Sequence, residues 1–166
     1  MTAEQPADMA GAALPPGFGD VGAALLEGHE NLASRRGITR AQLDGLFNFS
    51  YERYVTGDYE AACRGFELLC LYDHANVKYL QGYGYSLQAL GQYHKAALCL
   101  YFGSTLVERG GDAWGEQCVA AARLFARAGD KRQALTLLQA VLEALPDTAV
   151  QAREQAMALS EALGGA

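Results

Sequence analysis

Cations are scarce and unevenly placed in this 166-residue chain. Thirteen Lys+Arg stand against 19 Asp+Glu, a formal net charge of −6, and no Lys or Arg precedes Arg35. Such a chain lacks the cationic surface on which nucleic-acid binding depends, and it has no polybasic segment for anionic lipid. Without a positive n-region ahead of an apolar stretch, no secretory signal is expected. No uncharged run reaches the roughly 20 residues that a membrane-spanning helix needs, so direct membrane insertion is not expected. The four cysteines, Cys63, Cys70, Cys99 and Cys118, form no CxxC pair. They are expected to be reduced, buried, small apolar residues of a cytosolic protein rather than a disulfide framework. Proline is confined to positions 6, 15, 16 and 146, so nothing from 17 to 145 interrupts a helix for want of an N–H.

Signs of catalysis are equally sparse. His29, His74 and His94 are far apart in sequence and show no metal-ligand spacing. Gly82 and Gly84 lie within a helical pattern and follow no strand, so they make no phosphate loop. Nothing joins a nucleophile, a base and an orienting group. The expectation is a protein that is not an enzyme, with no catalytic residues, no metal and no cofactor.

What the chain has in excess is glycine, 19 residues in all, and the glycines recur. Gly57-Asp58-Tyr59-Glu60-Ala61-Ala62 is matched by Gly91-Gln92-Tyr93-His94-Lys95-Ala96, 34 residues on, and again by Gly129-Asp130-Lys131-Arg132-Gln133-Ala134. A 34-residue period is that of the tetratricopeptide repeat, a helix–turn–helix unit. With each of these glycines at repeat position 15, position 8 is Ser50, Gly84 and Ala122, position 20 is Ala62, Ala96 and Ala134, and position 24 is Phe66, Leu100 and Leu138. Small residues where two helices meet, with a large apolar residue behind them, are what tight helical hairpins require. The extra four residues of the second interval fall in Arg109-Gly110-Gly111-Asp112, between units. Gly65 and Gly82 fall inside the expected helices and have no evident role.

The expected architecture is all-α. Three tandem tetratricopeptide-like hairpins form a right-handed superhelix, with an N-terminal helix before them and a capping helix after. Residues 1–19, rich in Ala, Gly and Pro, read as a flexible tail. Residues 20–37 read as the N-terminal helix, with Asp20 as its cap and an end near Gly37. Residues 38–163 read as the repeat domain. Its first long helix is opened by the capping box Thr39-Arg-Ala-Gln42, and its last helix is capped by Asp147 or Thr148.

In this repeat family the first helix of each unit lines the concave face through positions 2, 5, 9, 12 and 13. The register therefore assigns Phe47, Tyr51, Tyr54, Lys78, Gln81, Tyr85 and Gln88 to a concave groove, and in the third unit Glu116, Val119, Arg123, Ala126 and Arg127. Aromatic side chains beside amides suit an extended peptide, whose exposed backbone groups the amides can satisfy. A clamp for a terminal carboxylate needs several cations, and Lys78 is one.

Several segments resemble the class II chaperones of bacterial type III secretion, the SycD/LcrH type that serves translocator proteins. They are Leu43-Asp-Gly-Leu-Phe-Asn-Phe-Ser-Tyr-Glu-Arg-Tyr54, Phe66-Glu-Leu-Leu-Cys-Leu-Tyr-Asp-His74, Tyr79-Leu-Gln-Gly-Tyr-Gly84 and Gln88-Ala-Leu-Gly-Gln-Tyr93. The resemblance covers roughly residues 24–163. It implies a cytoplasmic chaperone of a Gram-negative bacterium that keeps two hydrophobic translocators soluble by holding an extended client segment in the concave groove. It also implies homodimerisation through the N-terminal helix, here Val21, Leu25, Leu26 and Leu32, and in some members a transcriptional regulator as a further partner. Two other readings stay open: a repeat adaptor for folded proteins, and a redox-sensing regulator acting through Cys63 or Cys70.

Overall fold

The computed structural model describes residues 31–164; the tail expected at 1–19 and most of the expected N-terminal helix lie outside them. The described residues form eight helices and no strand: α1 (Leu32–Arg35), α2 (Arg40–Val55), α3 (Tyr59–Tyr72), α4 (Val77–Ala89), α5 (Tyr93–Thr105), α6 (Asp112–Arg127), α7 (Lys131–Ala144) and α8 (Val150–Gly164). From α2 onward each helix packs on the next, α2 also touches α4, and α6 also touches α8. That is the pattern of stacked hairpins, α2/α3, α4/α5 and α6/α7, closed by α8.

The hairpin turns are built alike. Gly57, Gly91 and Gly129 have φ of +86°, +75° and +86°, a region that L side chains avoid. In each turn the residue after the glycine donates its N–H across the helix end: Asp58 to Arg53 O, Gln92 to Leu87 O and Asp130 to Phe125 O, all at 2.9 Å. This closure satisfies carbonyls that a helix end otherwise leaves open, and the next helix starts at once. Asp58 and Asp130 then accept from Ala61 N and Gln133 N at 3.2 and 3.1 Å. The capping box is present at α2, with Gln42 N donating to Thr39 Oγ1 and Thr39 N to Gln42 Oε1. Each such cap is worth about 1 kcal/mol.

The core follows the repeat register. Ala62, Ala96 and Ala134 are fully buried, and Phe66, Leu100 and Leu138 lie behind them with at most 2% exposure. Ser50, Gly84 and Ala122 are buried where the paired helices meet. The structure accounts for both unexplained glycines. A Cβ at Gly65 would overlap Ser50 Oγ, and one at Gly82 would overlap the Phe66 ring. Both mark places where a helix backbone lies directly on a neighbour.

Four expectations need correction. A helix running unbroken to Gly37 is interrupted at Asn31, whose extended backbone and side chain cap the single turn of α1. α6 begins at Asp112, so Asp112 belongs to the helix and not to the insertion between units. α8 begins at Val150, not after Asp147 or Thr148. Pro146 O accepts from Ala149 N, and Ala149 O accepts from Arg153 N, so the proline turn takes up both expected caps. Asp147 instead faces Arg153 at 3.6 Å. Finally, Val119 is a core residue with 1% exposure and not part of an open groove, because α8 packs on α6 and its Ala152 and Ala156 share that core.

Candidate functional site

Spacing alone puts Phe47, Tyr51 and Tyr54 on one side of α2, and Lys78, Gln81 and Tyr85 on one side of α4. The two sides face each other across a cavity of about 200 Å³ lined by Phe47, Tyr51, Tyr54, Phe66, Lys78, Gln81, Gly82 and Tyr85. Six of the seven residues that the register assigns to the groove line this one space. Gln88, a turn farther along α4 and half-buried, does not. Phe66 and Gly82 were missed. Gly82 allows the Phe66 ring to lie against α4, and a glycine inside a helical pattern was the available signal.

The aromatic rings form an ordered set. Phe47 stacks on Tyr51, with centroids 6.4 Å apart and planes 7° apart. Phe47 meets Phe66 edge-on at 5.7 Å and Tyr79 at 5.9 Å. Tyr54 meets Tyr59 edge-on at 5.5 Å. Phe47 is thus part wall and part core, whereas Tyr51, 57% exposed, and Tyr85, 41% exposed, present their rings to whatever enters. Burial raises the Tyr85 phenol above its ordinary pKa, helped by Tyr54 and Glu116, so it stays a neutral hydrogen-bond donor. Lys78 is the charged residue of the lining. A space of about 200 Å³ is below the ~300 Å³ at which sites for small-molecule ligands begin. It suits one or two side chains of a peptide that continues along the surface.

A larger groove, about 530 Å³, runs between α5 and α7 and is lined by Leu98, Tyr101, Phe125, Arg132, Gln133, Thr136, Leu137 and Ala140. It holds no set of groups arranged for chemistry. Among the described residues no three His, Cys, Asp or Glu side chains are placed to hold a metal. Cys63, Cys70, Cys99 and Cys118 are free thiols. Burial is the first cause that pushes Cys70 up to about 12 and Cys99 up to about 11, with Cys99 and Cys63 respectively adding to it. Cys63 and Cys118 are also raised, mainly by burial. Redox sensors work through a stabilised thiolate, and these thiols are held protonated, so the redox reading loses its support. Leu32 is half-buried beside Ala33, while Val21, Leu25 and Leu26 lie outside the described residues.

A stack of tetratricopeptide-like hairpins with a peptide-sized aromatic groove defines the class. Known proteins share this fold and part of the sequence. No family model matches the chain. It is 30% identical over 83 residues to the low calcium response locus protein H of Yersinia pestis, and it spans about half the length of the curated relatives it matches. Its fold matches a type III secretion complex from Aeromonas hydrophila with a TM-score of 0.70 at 22% identity, covering 89% of this chain and 96% of that one. It also matches the Yersinia enterocolitica type III secretion chaperone SycD in complex with a peptide of the translocator YopD. There the TM-score is 0.63 at 24% identity, over 76% of this chain and 95% of that one. The all-α fold expected from the sequence is therefore the fold of the SycD-type chaperones.

Proposed function

We propose that this protein is a cytoplasmic, non-enzymatic chaperone that holds hydrophobic type III secretion translocators soluble by binding an extended client segment in the groove between α2 and α4. The observation that carries this reading is the convergence of Phe47, Tyr51, Tyr54, Lys78, Gln81 and Tyr85 on one cavity of peptide side-chain size. The fold shared with a translocator chaperone in complex with a translocator peptide supports it. Among the described residues no helix is long and apolar enough to cross a membrane.

Holding needs no nucleotide. A client with membrane-inserting stretches aggregates in water, and a chaperone that binds its exposed segment draws it toward the soluble complex by mass action. The apolar anchors of the segment enter between the rings, while Gln81, Lys78 and the Tyr85 hydroxyl meet its backbone groups. Two translocators are the expected clients. Homodimerisation through Val21, Leu25, Leu26 and Leu32, and a transcriptional regulator as a further partner, belong to the same reading.

The test is capture of native partners from secretion-competent cells, identified by mass spectrometry, with wild type and Tyr51→Ala in parallel. Membrane-active proteins recovered by wild type and depleted by Tyr51→Ala are expected. Recovery of folded, wholly soluble partners alone makes the protein an adaptor instead.

A further inference from the structure

We propose that the groove between α5 and α7 is a second docking surface, which takes an acidic amphipathic helix of a partner protein. Its lining shares no residue with that of the α2–α4 groove, so the two can be filled at once.

Shape selects a helix. On α7, Gln133, Thr136, Leu137 and Ala140 recur at helical spacing and form one wall over about 10 Å of axis, two turns. On α5, Leu98 and Tyr101 form the other wall, and Phe125 of α6 is the floor, 3% exposed. A trough walled by two helices and floored by a third receives a further helix by ridges-into-grooves packing. Thr136 and Ala140 are small enough to let its backbone approach. The apolar side chains of the lining offer nothing to a bare peptide backbone, so the occupant must satisfy its own N–H and C=O groups, as a helix does. Leu98 and Tyr101 are 46% and 45% exposed, and Phe102 beside them, at 44%, extends the patch. Large apolar side chains left open together mark a contact surface.

Charge selects the sign of the partner. A hollow of about 470 Å³ brings Gln92, Tyr93, His94 and Lys95 at the start of α5 together with Arg127 and Ala128 at the end of α6. The start of α5 therefore lies beside the turn from which α7 begins. The His94 ring meets the Phe125 ring edge-on at 5.7 Å, so the hollow and the groove share a wall. Lys95, Arg127, Lys131 and Arg132 gather at this end, four of the 13 Lys+Arg of an acidic chain. Arg127 is held in place, donating to the Tyr93 hydroxyl at 2.7 Å and lying 4.2 Å over its ring. Among the described residues none of the four has an ion-pair partner, and Asp130, next to Lys131 in sequence, is engaged as the cap of α7. Cations without counter-ions at one end of an apolar trough are complementary to a helix whose apolar face ends in acidic residues. A basic segment is repelled there, so the same charges supply selectivity.

The experiment uses the full chain and two synthetic amphipathic helices of about four turns. Both carry Leu at i, i+3, i+4 and i+7, and their end residues are Glu in one and Lys in the other. Measured by fluorescence anisotropy, the Glu helix is expected to bind at least about tenfold more tightly than the Lys helix, with the preference shrinking at high salt. Lys95→Glu with Arg132→Glu reverses the preference, and Leu98→Ser with Tyr101→Ser weakens both helices. Equal affinity of the two helices for the wild-type chain overturns the proposal, and so does binding that survives the double serine change. In a second measurement p-benzoylphenylalanine at position 101 of the full chain is irradiated in secretion-competent cells, and the crosslinked peptides are sequenced. Segments of another protein with apolar residues at helical spacing and acidic residues within a turn of them are expected. Crosslinks to copies of this chain alone, to segments without acidic residues, or to nothing overturn the proposal.

Discussion

The backbone of Gly82 lies against the ring of Phe66, so close that a Cβ at Gly82 would overlap the ring edge. The ring is 2% exposed and forms the groove floor. Gly82→Ala therefore forces Phe66 toward Phe47 and narrows the groove. The expected outcome is a loss of about 1–3 kcal/mol of stability in urea unfolding, together with weaker client binding. A stable variant with unchanged binding would show that the floor yields freely.

Tyr51 separates binding from folding. Its ring is more than half exposed, and Phe47 is its stacking partner. Tyr51→Ala is expected to change stability by no more than about 0.5 kcal/mol. If Tyr51 anchors the client, binding falls by about 2 kcal/mol or more, measured by calorimetry with a client peptide. Phe47→Ala is expected to lower both, because Phe47 also packs on Phe66 and Tyr79.

Gln117 is 5% exposed, and its Oε1 has no hydrogen-bond partner. It packs on Gly103, where a Cβ would come within 2.6 Å of that oxygen. An unsatisfied buried acceptor costs about 1–3 kcal/mol, so Gln117→Met, nearly equal in volume, should stabilise the fold by about 1 kcal/mol in the same unfolding measurement.

The thiols predict an alkaline weakness. Cys70 and Cys99 are raised from 9.0 to about 12 and about 11. Below pH 9 both are protonated whether the chain is folded or not, and their contribution is fully present. Above pH 9 the unfolded chain loses these protons first, so stability falls as pH rises toward 11 and 12. Unfolding free energies measured from pH 8 to 11 should decline, and Cys70→Ala with Cys99→Ala should flatten the decline. At neutral pH both thiols should react with iodoacetamide more slowly than a free cysteine.

The fold was legible wherever one residue determines local geometry. Gly57, Gly91 and Gly129 announce their turns, and the small residues at Ser50, Gly84, Ala122, Ala62, Ala96 and Ala134 announce the hairpins, because both demands fall on single positions. Most of the groove followed from the same register. What escaped depends on pairs of elements. Gly65 and Gly82 answer to Ser50 and Phe66 across helices, and no sequence window contains both partners. Val119 turned inward because α8 covers α6, an effect of a helix that follows the last unit. Asp147 looked like a cap, yet the turn at Pro146 postpones the helix. The apolar residues of α2 are divided between core and groove, so its pattern shows no single buried face to guide assignment.

The buried side chains form two separate clusters, one around Phe66 in the first hairpin and one extending from Leu87 to Ala156, with half-buried Tyr83 packed against both. The groove straddles this seam, with Phe47 and Phe66 on one bank and Gln81 and Tyr85 on the other. A peptide seated there acts as a rivet. It adds a second bridge across a seam that the Phe66 ring against Gly82, Tyr79 against Phe47 and Tyr83 donating to Glu67 already close, so occupancy further ties the first hairpin to α4.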